Sequence, residues 1–178
     1  MRKLFALCLI IPIGAWAGWI NRSGEPLPDS ESRKAVGDFG VQLILVADEQ
    51  ELIKRWNTPS ETVETTTTDK VEVNGAIHAF IVFSGCTRDK DGKCSVAMRF
   101  KVTKPDGTVY AETPPMEVWY MKPAPPGRML ELSADYLKVI IEPKDPLGRY
   151  TVLAQVRDNN SRVVIPVSAS FTAISARK

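Results

Sequence analysis

The sequence predicts an all-β protein, an antiparallel β-sandwich with one short helix, that follows a cleaved signal peptide. About eight or nine short apolar segments with alternating side chains recur between turn signals every 8–12 residues or so, which is typical of an antiparallel sandwich or barrel. Helical periodicity is convincing at one place only, so strands do not alternate with helices and a doubly wound sheet is disfavoured. The 178 residues, 44% hydrophobic and 25% charged, suit one globular domain.

The N-terminus has the pattern of a secretory signal. Arg2 and Lys3 precede an apolar run at 4–13, and small residues at Ala15 and Ala17 stand where a signal peptidase reads them. We expect cleavage after Ala17 and a periplasmic location. An uncleaved anchor is the alternative, but a spanning helix needs about 20 apolar residues. We therefore expect no integral membrane span after cleavage.

Cleavage would make the protein formally neutral. The whole chain has 23 Lys+Arg and 21 Asp+Glu, and residues 1–17 hold Arg2 and Lys3 but no acidic residue, which leaves 21 of each sign. A nucleic-acid-binding protein should have a basic excess, so we expect no nucleic-acid partner. Electrostatics also give the mature chain no reason to bind an anionic membrane.

The chain after the signal is predicted to begin with a flexible leader at 18–37, which is rich in polar residues, Pro and Gly; the domain would span 38–178. The first strand is predicted at 39–47. Asp48 then provides a helix N-cap with Glu51 at N3, and Leu52, Ile53 and Trp56 share one face of a short helix that Pro59 ends. The Thr-rich residues 60–69 are either an edge strand or an exposed loop.

The remaining strands follow from period-two patterns and turn signals. In the segment after Cys94, Val96, Met98, Phe100 and Val102 should point inward. Pro105-Asp106-Gly107 and the stretch 158–161 are turn signals. The predicted strands lie at 71–73, 77–83, 96–102, from 109, and at 116–121, 129–132, 136–141, 150–156 and 163–174.

Loss of Cys8 with the signal leaves two of the three cysteines, Cys86 and Cys94. An even count in an oxidising compartment favours one disulfide, whereas a reducing compartment would leave two free thiols. The Asp-Lys-Asp-Gly stretch between them is similar to part of a calcium loop, but alignment on Gly92 puts Thr87 and Met98 at positions that need acidic ligands. We interpret it as a solvated hairpin tip.

A local motif narrows the fold to the immunoglobulin-like class. Asp145, Gly148 and Tyr150 belong to a turn that enters an alternating strand, and this resembles the Asp-x-Gly-x-Tyr entry to strand F of immunoglobulin-like and fibronectin-like domains. The resemblance implies a tyrosine corner, in which the hydroxyl bonds back to the preceding turn. No cysteine follows Tyr150 two residues later, so the central disulfide of antibody domains is absent.

The sequence offers little for catalysis. Its one histidine, His78, lies within a predicted strand, and there is no Gly-x-Ser-x-Gly elbow or Gly-rich phosphate loop. We interpret His78 as a strand histidine with a satisfied hydrogen bond and predict a protein that is not an enzyme and has no cofactor or metal. The alternative to this interpretation is a hydrolase with a hidden active site around His78.

Two segments have the features of recognition surfaces. A proline-stiffened stretch contains residue types that are enriched at interface centres, and a disulfide would preorganise the hairpin tip. The alternative is that Trp119 is a core residue and that the two prolines only shape a crossover loop. The candidate partner-binding residues are Trp119, Tyr120, Met121, Pro125, Pro126 and Arg128 in the first segment, and Arg88, Asp89 and Lys90 in the second.

The stretches FSGC, DGKC, VTKPDG, VWYMK and YLKVIIEPKDPLGRY succeed one another between residues 83 and 171, about half of the chain. In this order they resemble small periplasmic proteins encoded beside type VI secretion phospholipase effectors. The resemblance implies an immunity protein that binds and inhibits a secreted phospholipase-type toxin. The alternative is an accessory immunoglobulin-like subunit or chaperone of an envelope or secretion machine, with a sheet edge near Thr65–Thr68 that accepts a strand.

Overall fold

Two β-sheets face each other across one apolar core in the computed structural model, which describes residues 18–21, 23–58 and 66–176. This is the predicted all-β sandwich of the immunoglobulin-like class. One helix, α1 (Glu49–Trp56), is present among the described residues. The strands in chain order are β1 (Arg33–Val36), β2 (Phe39–Val46), β3 (Lys70–Glu72), β4 (Ala76–Ser84), β5 (Lys93–Thr103), β6 (Val109–Glu112), β7 (Met116–Pro123), β8 (Glu131–Leu132), β9 (Leu137–Ile140), β10 (Gly148–Asp158) and β11 (Val164–Ile174).

The five-stranded sheet has the order β1-β2-β4, and β8 and β9 lie one after the other along the far side of β4. The six-stranded sheet has the order β3-β11-β10-β5, with β6 and β7 along the far side of β5. All pairs are antiparallel except β3 with β11, which is parallel. The chain crosses from one sheet to the other between β7 and β8, through the proline-rich segment.

The core between the sheets follows the predicted alternation. In β5, the predicted inward residues Val96, Met98, Phe100 and Val102 are all buried, while the side chains between them are at least partly exposed. β10 contributes alternate buried side chains in the same way, because a strand places every second residue on one face. The alternation of apolar and polar residues in the sequence therefore predicted the core residues of β5 correctly.

β4 is covered on both faces, since α1 and the N-terminal segment pack on its outer side. Asp48 caps α1 as predicted: its carboxylate accepts the Glu51 N–H at 2.9 Å. Leu52 is buried and Trp56 packs against this outer layer, but Ile53, predicted on the same face, is 39% exposed. Residues four apart lie on one helical stripe, and Ile53 falls beside that stripe. The outer layer consists of Trp19, Ile44, Val46, Leu52, Phe80 and Val82.

The described part of the segment predicted as a flexible leader at 18–37 contains a strand and a buried side chain, whereas the prediction placed the folded domain only from residue 38. Trp19 is only 9% exposed, and its Nε1–H donates to the Lys34 carbonyl at 3.1 Å. β1 pairs with β2, and the Glu31 carbonyl accepts the Ser168 N–H at 2.8 Å. The segment is polar in overall composition, but its Trp19 packs on the outer face of the sheet. We call the described residues from 18 to 36 the N-terminal strap.

Some predictions fall on residues outside the described ranges. The signal peptide at 1–17, the end of the helix at Pro59 and the stretch 59–65 belong to this group. The described residues 66–69 form no strand, and β3 begins only at Lys70. Within the described part of the chain, no helix is long and apolar enough to cross a membrane.

Candidate functional site

The two predicted recognition segments meet at one cleft. It has a volume of about 660 Å³ and lies where the disulfide hairpin, the proline-rich crossover, the β1–β2 turn and the β10–β11 turn come together. We call it the hairpin–loop cleft. Its lining residues are Val36, Asp38, Phe39, Gly85, Cys86, Thr87, Arg88, Pro125, Gly127, Arg128, Ser161 and Val163.

The first wall is the hairpin closed by the predicted disulfide, which joins Cys86 and Cys94. Asp89 organises the tip, because its Oδ1 accepts the Asp91 and Lys93 N–H groups at 2.8 and 2.9 Å. Asp89 therefore has a structural role in the turn. The sequence had suggested Asp89 as a partner contact instead. Arg88 is exposed and lines the cleft, whereas Lys90 is exposed at the tip.

A buried carboxylate fastens this hairpin to the β10–β11 turn. Asp158 is 0% exposed and accepts the N–H groups of Thr87 at 2.8 Å, Asn160 at 3.0 Å and Ser161 at 3.3 Å. The Asn160 side chain donates in turn to the carbonyls of Thr87 and Lys93. Sequence reasoning identified residues 158–161 only as a turn. Asp158 and Asn160 are typical turn residues, and the sequence does not show that they bind the distant hairpin between Cys86 and Cys94.

The second wall is the proline-rich crossover. Pro125 is buried, while Pro126 and Arg128 are exposed. The Ala124 N–H donates to the Gly92 carbonyl at 3.0 Å, which ties this wall to the hairpin. Arg128 also reaches the strap, since its Nη1 donates to the Gly18 carbonyl at 3.3 Å. Pro126 itself does not line the cleft.

The aromatic residues of β7 lie outside the cleft lining. Trp119 packs edge-on against Phe83 with 5.9 Å between ring centroids, which agrees with the alternative that it is a core residue. Tyr120 is 62% exposed, and Met121 is exposed with a positive φ of 47°. Of the candidate partner-binding residues, the structure thus gathers Arg88, Pro125 and Arg128 at the cleft.

The opposite end of β10 carries the tyrosine corner. The Tyr150 hydroxyl donates to the Pro146 carbonyl at 2.8 Å, as the motif implies. Gly148 has a φ of 127° and approaches the Pro105 ring. Asp145 accepts the Glu142 N–H and the Tyr110 hydroxyl, both at 2.8 Å. The role of Tyr110 was not visible in the sequence.

The electrostatics of this corner follow from those contacts. The hydrogen bond from the Glu142 N–H is the main reason that the pKa of Asp145 lies below its ordinary value, and the Tyr110 hydroxyl adds to the effect. Burial, reinforced by the Asp145 carboxylate, raises the pKa of Tyr110. The corner therefore keeps Asp145 ionised as an acceptor and Tyr110 neutral as a donor, which is a structural arrangement.

His78 lies under α1 rather than in a cleft. It is 5% exposed, and its Nε2 is 2.5 Å from an oxygen of Glu49. Neither ring nitrogen makes an aligned hydrogen bond within the described residues, so the satisfied hydrogen bond predicted for His78 is not found there. The Tyr136 ring lies edge-on at 5.7 Å. The hidden-site hypothesis needed His78 exposed beside a nucleophile, and the burial of His78 speaks against that geometry. The described residues also contain no group of three or more His, Cys, Asp or Glu side chains that could hold a metal.

Comparisons with known proteins assign no family. No family model and no curated protein matches the chain. Solved structures with some likeness include the CARDB domain of a Pyrococcus furiosus protein in complex with di-metal ions, at 14% identity and a TM-score of 0.36 over 60% of this chain and 81% of that one. A family 123 glycoside hydrolase from Clostridium perfringens has 8% identity and a TM-score of 0.43 over 76% of this chain, which spans 27% of that enzyme. A Niemann-Pick type C2 protein from the Japanese carpenter ant has 9% identity and a TM-score of 0.37 over 76% of this chain and 89% of that one. We draw no functional conclusion from likenesses of this level.

Proposed function

We propose that the protein is an exported binding protein that recognises another protein through the hairpin–loop cleft. The observation that carries this proposal is that Arg88 and the Pro125–Arg128 loop, which are distant in sequence, line one cleft. Both walls are fixed before any partner arrives, by the disulfide, by Asp158 and by the bond between Ala124 and Gly92. A preorganised surface loses little conformational entropy on binding.

The partner that we propose is a secreted phospholipase-type toxin, which the protein binds and inhibits in the periplasm. The motifs between residues 83 and 171 and the secretory pattern at the N-terminus support this choice. Inhibition needs a rigid scaffold with presented loops, and both cleft walls are loops of that kind. Arginine is among the residue types that most often dominate the binding energy of such interfaces.

The test begins with protein expressed from the full 178-residue sequence, purified in its exported form and used to capture periplasmic and secreted proteins of the native bacterium. We expect one stoichiometric partner with phospholipase activity, inhibition of that activity at equimolar binding protein, and slower hydrogen exchange at Thr87 and Gly127 in the complex.

The other outcomes are equally informative. Capture of secretion or envelope machinery would favour the accessory-subunit alternative. A captured phospholipase whose activity is unchanged would overturn the inhibitor proposal. Failure to capture any stoichiometric partner would overturn both binding proposals.

A further inference from the structure

We infer that the hairpin–loop cleft accepts an acidic segment of the partner protein, with carboxylates at Arg88 and Arg128 and an apolar side chain on the cleft floor. This inference rests on the proposed binding function and names the chemistry that the cleft would recognise.

The charges of the cleft are unequal. Its lining residues include two arginines, Arg88 and Arg128, and a single acidic residue, Asp38. The tip of the same hairpin carries Lys90 between Asp89 and Asp91, so it adds no net positive charge, and none of these three residues lines the cleft. A segment that brings carboxylates would therefore be attracted to this site, even though the mature chain as predicted has no net charge.

Arg88 also differs from several cations elsewhere on the surface. Lys101 lies 3.1 Å from a carboxylate oxygen of Glu112, and Lys144 lies 2.7 Å from one of Glu142. Arg88 has no ion pair with any carboxylate in the described part of the chain. A carboxylate from a partner would supply the anion that the protein itself does not place there.

The two arginines lie on segments that are held by different contacts. Arg88 follows Thr87, whose N–H is bound by the buried Asp158 carboxylate. Arg128 is oriented by its bond to the Gly18 carbonyl. Because a guanidinium presents its donors in a planar fork that matches a carboxylate, a fixed backbone gives such a site directional preference as well as charge.

Apolar residues also line the cleft. Phe39 and Cys86 are buried there, and Pro125 and Val163 contribute further apolar surface. A volume of about 660 Å³ lies within the range of about 300–1,000 Å³ that is usual for ligand clefts. The combination favours a peptide segment with one apolar side chain flanked by carboxylates over a wholly charged ligand.

The experiment uses the purified exported protein and a defined probe, the acetylated and amidated peptide Glu-Glu-Leu-Glu-Glu, with Gln-Gln-Leu-Gln-Gln as its uncharged counterpart. Binding is followed by ¹H–¹⁵N NMR titration. We expect saturable shifts at Gly85, Thr87 and Gly127 with the acidic peptide. We expect at least about tenfold weaker binding of the uncharged peptide and of the acidic peptide to Arg88→Gln or Arg128→Gln, as for loss of one charge-assisted hydrogen bond.

Arg149→Gln is the matched control, because Arg149 is exposed on β10 and does not line the cleft; its affinity for the acidic peptide should equal that of the wild type. Equal binding of the two peptides, an equal loss in Arg149→Gln, or no cleft shifts at millimolar acidic peptide would each overturn the inference. Cleft shifts with phosphatidylglycerol vesicles but not with the peptide would overturn it in favour of a membrane surface. These results are separate from the capture experiment: a phospholipase captured and inhibited without peptide binding would leave the proposed function standing and refute only the acidic segment.

Discussion

At the scale of single residues, Gly85 allows two backbone segments of the sandwich to approach each other closely. Gly85 directly follows β4 and has a φ of 67°, and a Cβ built on it would lie 1.9 Å from the Asp38 backbone oxygen. Gly85 and Asp38 both line the hairpin–loop cleft, so the shape of one cleft wall depends on the absence of a side chain at position 85. Gly92, at the hairpin tip, has a similar φ of 76° but open space around it.

Gly85→Ala should destabilise the protein by about 2–5 kcal/mol, since it adds backbone overlap to the cost of a left-handed conformation. Gly92→Ala is the matched control and should cost only about 1–2 kcal/mol, for the conformation alone. Urea denaturation of both variants measures the difference. Equal costs would show that the close approach to Asp38 is relieved without penalty.

The Asp145 carboxylate should make stability depend on pH in the acid range. Its pKa in the folded protein lies below the ordinary 3.8, mainly because it accepts the Glu142 N–H. Its contribution to the free energy of unfolding is therefore fully present above the unfolded pKa and is lost as the pH falls through the folded pKa. Because Asp145 lies close to solvent, the effect should be modest.

Tyr110→Phe removes one hydrogen bond to this carboxylate, so the pKa of Asp145 should move back toward its ordinary value and the loss of stability with acid should shrink. Urea midpoints measured between about pH 5 and pH 2.5 test this. Asp145→Asn should lack this contribution to the acid dependence altogether. An unchanged pH profile in both variants would argue against the Tyr110–Asp145 contact as a source of the shift.

At the scale of elements, the disulfide hairpin is stable because it is attached at both its base and its side. The short loop between Cys86 and Cys94, with a sequence separation of 8, allows the disulfide a contribution of only about 2–3 kcal/mol. Asp158 accepts the Thr87 N–H, which connects the hairpin to the β10–β11 turn, and it accepts two further N–H groups within that turn. The orientation of Arg88 in the cleft thus depends on an element that lies far from it in sequence.

Asp158→Ala should cost about 1–3 kcal/mol, because three part-buried hydrogen bonds to the carboxylate are lost. The amide of Thr87 should also exchange its hydrogen faster in this variant while the core amides of β10 stay protected. Asp91→Ala, at the exposed hairpin tip, is the control and should change neither quantity. Unchanged exchange at Thr87 in Asp158→Ala would mean that the Asp158 carboxylate is not needed to hold the hairpin.

On the scale of the whole molecule, the N-terminal strap completes the outer layer over the five-stranded sheet. Trp19 lies against Gly40, where a Cβ would come within 3.2 Å of its ring, and it packs in the same cluster as Phe80. The strap also reaches the cleft through the contact of Gly18 with Arg128. The N-terminal strap therefore lies next to the proposed partner-binding cleft.

Trp19→Ala should destabilise the protein by about 3–5 kcal/mol, as expected for loss of a large buried side chain. The strap should then become sensitive to limited proteolysis. Ile20→Ala is the matched control: Ile20 is exposed, so its loss should have little effect. A wild-type protein that is cleaved readily between residues 19 and 36 would support the flexible leader that composition predicted.

The fold class, most strand positions, the capped helix, the disulfide and the tyrosine corner could all be predicted from the amino-acid sequence. Each of these depends on local chemistry: period-two alternation, an N-cap side chain, a short cysteine spacing, or a turn motif beside its own strand. Tertiary structure alone decided that Asp158 binds Thr87, that Tyr110 binds Asp145, and that Trp19 turns a polar leader into a strap. It also decided that Arg88 and Arg128 face one cleft while Tyr120 does not. These outcomes depend on which distant segments the two sheets bring together, and side-chain periodicity does not encode that information.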